Sequence, residues 1–517
     1  MRLKTPAVLC LCGTLVTAMT TPLATPINLP LGSNMGYGGA SSHHTVFSTM
    51  NNPAVAATWE AKEPWRFGAG AGFGAGFEMG SFNIQSFKDA STNISNRMET
   101  IQKTATSLDL STFTTQLELL KGDINSGLAT VGDNFYVIAS MEGIRAHSAL
   151  ERFEFSDPQF SELIKGISPT IPITYSHKKW GTFSYSTHSS SVLKTRMNGG
   201  KINFAIDNIT NMLFTISNGG QDAVIEKIMD TATITTALDL SLAEVHEQTF
   251  SYSRRIIPLK QWGVLYGGLR VRSISTQLGT QTIALTPILK KLVNSAAEGG
   301  GDSTTDYLSE QFNKLPTGAQ SSSGISMDLG VLWLYDYLSV GVTAHNINQP
   351  AFAYNSVPDC DTEEGKEEPL NCIAMYTSAT PTTAYFVMNM QPRVEAAIFT
   401  PNRHWTWNLA FDFVQTKDPL GTPKQWLSSS ISYASDASTK NWWWKWAVPD
   451  VRLGYRSNIA SNGISMMTLG MTLFSFVNVD VAMDANAFSP DVLNRIMTQS
   501  DNMPRAFAAN IGVETYF

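Results

Sequence analysis

The chain has 517 residues, only 15% of them charged, and a formal net charge of −7. Its mean hydropathy is −0.07, and no run of about 18 apolar residues occurs, which argues against a helical membrane protein. The acidic balance argues against a nucleic-acid surface, while a transmembrane barrel stays open because its apolar residues alternate with polar ones and disappear from averages.

Arg2 and Lys4 precede the short apolar core "AVLCLCGTLVTAM", which predicts a secretory signal peptide over 1–18 with a second-choice cleavage site near Ala24. Cys10 and Cys12 each follow Leu rather than the small residue of a lipoprotein site, and both leave with the signal. Residues 19–63 hold "PLGSNMGYGGASSHHTVFSTMNNPAVAA", too irregular for a strand and too apolar for a solvated linker. His43 and His44 are adjacent, point apart in extended chain and have no third ligand nearby, so no metal site and no cofactor is expected.

The stretch "WRFGAGAGFGAGFEMG" from Trp65 to Gly80 alternates with period two. Trp65, Phe67, Ala69, Ala71, Phe73, Ala75, Phe77 and Met79 form an apolar face; the other face is glycine except for Arg66 and Glu78. This predicts a strand with one oily side and one bare side. Gly weakens a strand unless something approaches closely, so the bare side is expected to receive a neighbour. The glycines share one parity and so do not fit the phosphate-binding G-x-G-x-x-G pattern. Helical spacing of Ile84, Phe87, Ile94, Met98, Ile101 and Leu108, then a second piece near Phe113 to Leu120, predicts a helical insertion at about 84–125. Short helices are also expected at "SDPQFSELIK" and "TPILKKLVNSAAEGGG".

The remainder reads as strands. "HWTWNLAFDFV", "VRLGYR", "MMTLGMTLF" and "VNVDVAMDANA" alternate strictly and are separated by turn residues. Arg270, Arg272, Asp412, Arg452, Arg456, Asp480 and Asp484 fall on the polar parity, giving a mixed-charge lining and the candidate polar end of a ligand path. Asp480 and Asp484 lie about 13 Å apart along a strand, too far for the carboxylate pair of a glycosidase. His188 beside three serines lacks a nucleophile motif, so no enzyme is expected. Cys360 and Cys372, left in the mature chain amid acidic residues, read as a disulfide stapling an exposed loop. The tryptophans of "NWWWKW" (442–446) suit a headgroup girdle. The chain closes on the alternating "RAFAANIGVETYF" with Phe517 last, similar to the C-terminal signal of bacterial outer-membrane barrels.

Three segments carry a family resemblance. "GYGGASSHHTVFSTMNNPAVAA" resembles the N-terminal glycine and Asn-Pro-Ala element of FadL-type long-chain fatty acid transporters. "ISMDLGVLWLYDYLSVGVTAHNINQPAF" resembles the Asp-Leu-Gly and Gly…Asn…Pro strands of that wider group. "VRLGYRSN" with "MTLGMTLFSFVNVDVAM" looks like its C-terminal hairpins. In size and helical insertion the chain is most similar to the conjugal transfer TraF-like outer-membrane proteins. The thioredoxin-like periplasmic protein of the same name is not the match, since no C-x-x-C remains after residue 18.

The resemblance implies an all-β chain: a transmembrane antiparallel barrel of about 14 strands over 64–517 in the bacterial outer membrane. Residues 19–63 would form a lumenal hatch in which Asn52, Pro53 and Ala54 make a turn, with hatch backbone against the bare glycine face. The expected surroundings are outer-membrane lipid, the barrel-assembly machinery and a hydrophobic small molecule as cargo. The alternative is a structural or partner-binding outer-membrane component linked to conjugal transfer or secretion.

Overall fold

The computed structural model describes residues 29–30, 32–42, 45–59, 65–80, single positions within 93–101, 110–132, 136–143, 168–198, 202–204, 232–234, 237–284, 318–355, 385–434, 448–460, 463–488 and 504–516. The expected signal peptide, His43 and His44, Cys360 and Cys372, the 442–446 tryptophans, Phe517, the "SDPQFSELIK" and "TPILKKLVNSAAEGGG" helices and most of 84–108 lie outside the described residues.

In chain order the strands are β1 (Trp65–Met79), β2 (Tyr136–Glu142), β3 (Ile171–His177), β4 (Gly181–Asn198), β5 (Ile202–Phe204), β6 (Ala232–Ile234), β7 (Ala237–Pro258), β8 (Val264–Ala284), β9 (Gln320–Tyr335), β10 (Leu338–His345) and β11 (Ala351–Ala353). They continue with β12 (Tyr385–Val387), β13 (Gln391–Phe399), β14 (Trp405–Asp412), β15 (Thr416–Lys417), β16 (Pro423–Lys424), β17 (Trp426–Tyr433), β18 (Asp450–Asn458), β19 (Ser465–Leu473), β20 (Val477–Asp484) and β21 (Ala506–Tyr516). Among the described residues the helix α1 (Leu110–Gly132) lies in the β1–β2 connection.

The sheet closes on itself, as an antiparallel ladder without a free edge must when no water satisfies its backbone. β1 pairs with the last strand, β21, from Gly68↔Tyr516 to Glu78↔Ala506. Its other side is shared: β2 pairs with its second half and β3 with its first. Both also pair with β4, so β2 and β3 are two halves of one wall position. The wall is thus a 14-strand antiparallel barrel. The chain leaves it at Gly143 and re-enters at Ser168–Thr170, where Ser168 N–H donates to Gly143 O and Thr170 exchanges two backbone bonds with Gly72. Pairs such as Phe399↔Thr406 and Leu473↔Val477 mark tight turns at one end. Most long connections, including the one with α1, leave from the other end.

Strand alternation places the charges. Trp405, Trp407 and Leu409 point outward while Thr406, Asn408, Ala410 and Asp412 are buried; Leu453 is 51% exposed and its neighbours Arg452 and Arg456 are buried. Ile511 and Val513 face out, Asn510 and Glu514 in. The outer surface is an apolar band of Phe, Trp, Tyr, Leu, Ile and Val far larger than a water-exposed face carries. Replacing Leu453 with Arg is expected to destabilise the barrel by about 2–4 kcal/mol if this position sits at mid-bilayer. The temperature at which the folded gel band converts to the unfolded one measures it, and an unchanged temperature would remove lipid from that face.

The described residues between 29 and 59 run inside the barrel as an inner segment, with 3-10 turns at Gly32–Asn34, Val46–Met50 and Pro53–Trp59. Thr45 caps the second through Phe47 N–H at 3.2 Å, and Asn52 Oδ1 accepts from Ala54 N–H at 2.9 Å, a local side-chain turn. The segment reaches much of the wall. Gly38 O accepts from Ser428 on β17, Gly36 O from Thr468 on β19, and Glu514 on β21 accepts from Thr45 and from Val46 N–H.

The bare side of β1 does receive a neighbour, but not the expected backbone. A Cβ added at Gly70 or Gly72 would meet the Phe47 ring at 3.2 Å. A flat ring fills the space of missing side chains, whereas a backbone there would need partners for its amides. Close backbone approach occurs elsewhere. A Cβ at Gly268 would sit 2.5 Å from Pro53 C, and one at Gly330 would strike Asn52 Oδ1. Gly341 adds a third contact, 2.8 Å from Asn52 Nδ2. Gly268 and Gly330 are cross-strand partners on β8 and β9, so Asn52-Pro53-Ala54 lies on a saddle that only glycine leaves open.

Candidate functional site

The lumen is layered. On β2, β4, β7 and β8 the inward column reads from charged or polar to apolar toward the end with the long connections. Glu142 gives way to Ser140 and Ile138, His188 to Ser190 and Val192, Glu247 to Val245 and Ala243, and Arg272 to Ile274 and Leu278. The apolar residues form one buried cluster, closed by Phe352 of β11, Phe386 of β12, Met388 and Leu420. Gly324 on β9 leaves room for the Phe352 ring, 3.2 Å from where its Cβ would stand.

Below lies a cavity of about 120 Å³ between the inner segment and the wall, lined in part by Gly39, Met50, Arg270, Arg272, Gln391, Arg393, Asp412, Trp426 and Arg456. On β8, Arg270 pairs with Asp328 and donates to Met50 O of the inner segment. Arg272 bonds Glu247 at 3.2 Å and the other Asp328 oxygen at 3.2 Å. Asp328 also accepts from Asn346 N–H at 2.7 Å. On β13, Arg393 pairs with Glu395 at 3.0 Å and Asp412 at 3.3 Å, and donates to Gly39 O. Asp412 accepts from Trp426 N–H at 3.1 Å. Arg456 stacks on Trp426, its guanidinium carbon 3.5 Å from the ring centroid. These are charge-assisted contacts between buried groups, where an ion pair needs further hydrogen bonds to offset its desolvation; Arg272 Nε, Glu395 Oε2 and Arg456 Nε have no partner among the described residues.

Arg270, Arg272, Asp412 and Arg456 thus converge on one cavity. Arg452 does not line it: on β18 it pairs with Asp480 at 3.3 Å, bonds Thr472, and sits over the Tyr37 ring at 5.5 Å. Burial raises the Tyr37 phenol above its ordinary pKa, with the Arg452 charge pulling the other way. Asp484 shares the inward face of β20 but accepts only from its own turn, at Asn486 N–H, among the described contacts. The other hatch residues, Asn52, Pro53 and Ala54, form the saddle contact described above.

Arg393, Gln391, Trp426 and Asn346 went unread in the sequence. Arg393 and Glu395 share a parity in "QPRVEAAIF", a signal for an inward charge pair, but Pro392 breaks the strand pattern there. His188 points into the lumen, not the outer face: its Nε2 is 3.1 Å from Glu142 Oε2 and its Nδ1 is 2.7 Å from Thr170 Oγ1. Glu142 Oε1 also accepts from Leu29 N–H, so this cluster joins the wall break to the inner segment. Among the described residues no group of three His, Cys, Asp or Glu is arranged to hold a metal ion.

A family model described as "F plasmid transfer operon, TraF, protein" matches residues 49–412. Among solved structures, the toluene transporter TodX of P. putida is 10% identical, covering 95% of this chain and 98% of its own at a TM-score of 0.34. A Pseudomonas aeruginosa FadL homologue is 8% identical, covering 96% and 99% at a TM-score of 0.35. No curated protein matches the chain.

Proposed function

From the premise that the chain belongs to the F plasmid transfer operon TraF protein family, we propose that it is an outer-membrane barrel that passes apolar small molecules around an inner plug. The observation that carries this reading is the apolar cluster on the lumen wall next to the charged layer. A water channel gains nothing from Ile138, Val192, Val245, Ile274 and Leu278 on its wall. An apolar cargo gains the free energy of leaving water, about 25 cal/mol per Å² buried. Phe352, Phe386, Met388 and Leu420 fill that space in the closed state and move aside for cargo. The inner segment bars free flow, and the apolar outer band supports a lipid setting for the barrel.

The test is uptake. Liposomes with lipopolysaccharide in the bilayer and the purified barrel reconstituted should take up radiolabelled naphthalene several-fold faster than barrel-free liposomes. Exchange of Phe352 and Phe386 for alanine should alter that rate. Equal rates with and without the barrel would end the transport reading. The transfer-operon description of the family favours a second reading, a partner-holding component of a conjugal or secretion assembly. It predicts a stable crosslinked complex from whole cells and no naphthalene flux.

A further inference from the structure

Arg456 differs from the other three arginines that line the cavity. Arg270, Arg272 and Arg393 each pair with carboxylates within 3.3 Å. Among the described residues Arg456 has no carboxylate within 4 Å; its Nε is buried without a hydrogen-bond partner, and the residue is only 8% exposed. Leaving a buried charged donor unmet costs more than an ordinary lost hydrogen bond. A fold that holds such a group in place implies a partner that arrives from outside.

The surroundings define that partner. Trp426 covers one face of the guanidinium, and Gly39, at φ +90, brings the inner segment beside its edge, the position of a Gly39 Cβ being 4.0 Å from Nε. An acceptor must therefore approach in the plane, the geometry in which a guanidinium takes two oxygens of one group. Gln391 and Asn51 line the same space. At about 120 Å³ the cavity has room for several water molecules and so for a carboxylate or phosphate group.

We propose that this cavity is a binding site for a compact oxyanion, a carboxylate or a phosphate, anchored by Arg456 on its Trp426 platform. The anion is either free or the head of a larger molecule whose apolar part lies in the adjoining cluster. Neither case requires that the barrel transports apolar cargo.

Isothermal titration of the full-length protein in dodecyl maltoside tests it with three probes: sodium phosphate, sodium octanoate and octanol. Binding of phosphate alone assigns a free anion. Octanoate binding tighter than octanol by about tenfold or more assigns a tailed one. In either case Arg456→Gln should weaken binding by about tenfold or more, and Arg456→Lys should restore part of it. Since Arg456 has no acid partner, its loss strands no buried carboxylate, and both variants should keep the wild-type heat-modifiable gel shift. Failure of phosphate and octanoate to bind, octanol binding as tightly as octanoate, or Arg456→Gln binding unchanged would each overturn the proposal. Naphthalene uptake is a separate measurement, so this site and the transport reading can fail independently.

Discussion

Exchange of Asp328 for alanine is expected to destabilise the barrel by about 3–5 kcal/mol, the cost of removing one partner from a buried ion pair. Asp328 is fully buried and holds two cations at once, Arg270 through one oxygen and Arg272 through the other. Its loss leaves Arg272 with Glu247, Ser326 and Asn346 but leaves Arg270 without a carboxylate among the contacts described. Arg270 also clamps the inner segment at Met50 O, so the cost should extend to that segment. Asp328→Asn retains acceptors and should cost less. Urea midpoints followed by tryptophan fluorescence in detergent micelles measure both. Should Asp328→Ala unfold at the wild-type midpoint, the arginine pair would not be what ties wall to segment.

The second large effect belongs to the glycine saddle. Gly268→Val places a branched side chain where the Pro53–Ala54 peptide lies, with the new Cβ 2.5 Å from a backbone carbon. Overpacking of this kind usually costs about 1–3 kcal/mol and more when the obstacle cannot move. Pro53 has a fixed φ and Asn52 holds the turn through Ala54 N–H, so local adjustment is limited. The expected outcome is a folded barrel whose inner segment has lifted away. Limited trypsin digestion of lysine-free positions is uninformative here, so a Cys introduced at Ala54 should instead become reactive to a water-soluble maleimide in Gly268→Val and stay protected with Gly268. Protection in both would show that the saddle has slack.

Much of the architecture was legible because a barrel wall has one periodicity and two solvents. Once Leu453 and Tyr455 are assigned to lipid, Arg452 and Arg456 have nowhere to go but inward. The same parity put Asp412, Asp480 and Glu514 inside. What alternation does not encode is which inward residues meet. Gly268 and Gly330 face each other only through the β8–β9 register, and Arg393 reaches Asp412 only because β13 lies beside β14. The division of one wall position into β2 and β3 was equally hidden, since each half alternates normally on its own. The oxyanion cavity joins β8, β13, β14, β17 and β18 to the inner segment, contacts that are long-range in sequence and therefore set by tertiary packing alone.

The pairing of β1 with β21 has a consequence for how the molecule is put together. The join that completes the circle unites segments more than four hundred residues apart along the chain, so its entropic cost falls on the last stage of assembly. The inner segment precedes β1 and is bonded to Glu514 on β21, directly beside that join. Glu514 therefore couples the two events: the strand that completes the ring also carries the carboxylate that fastens its filling.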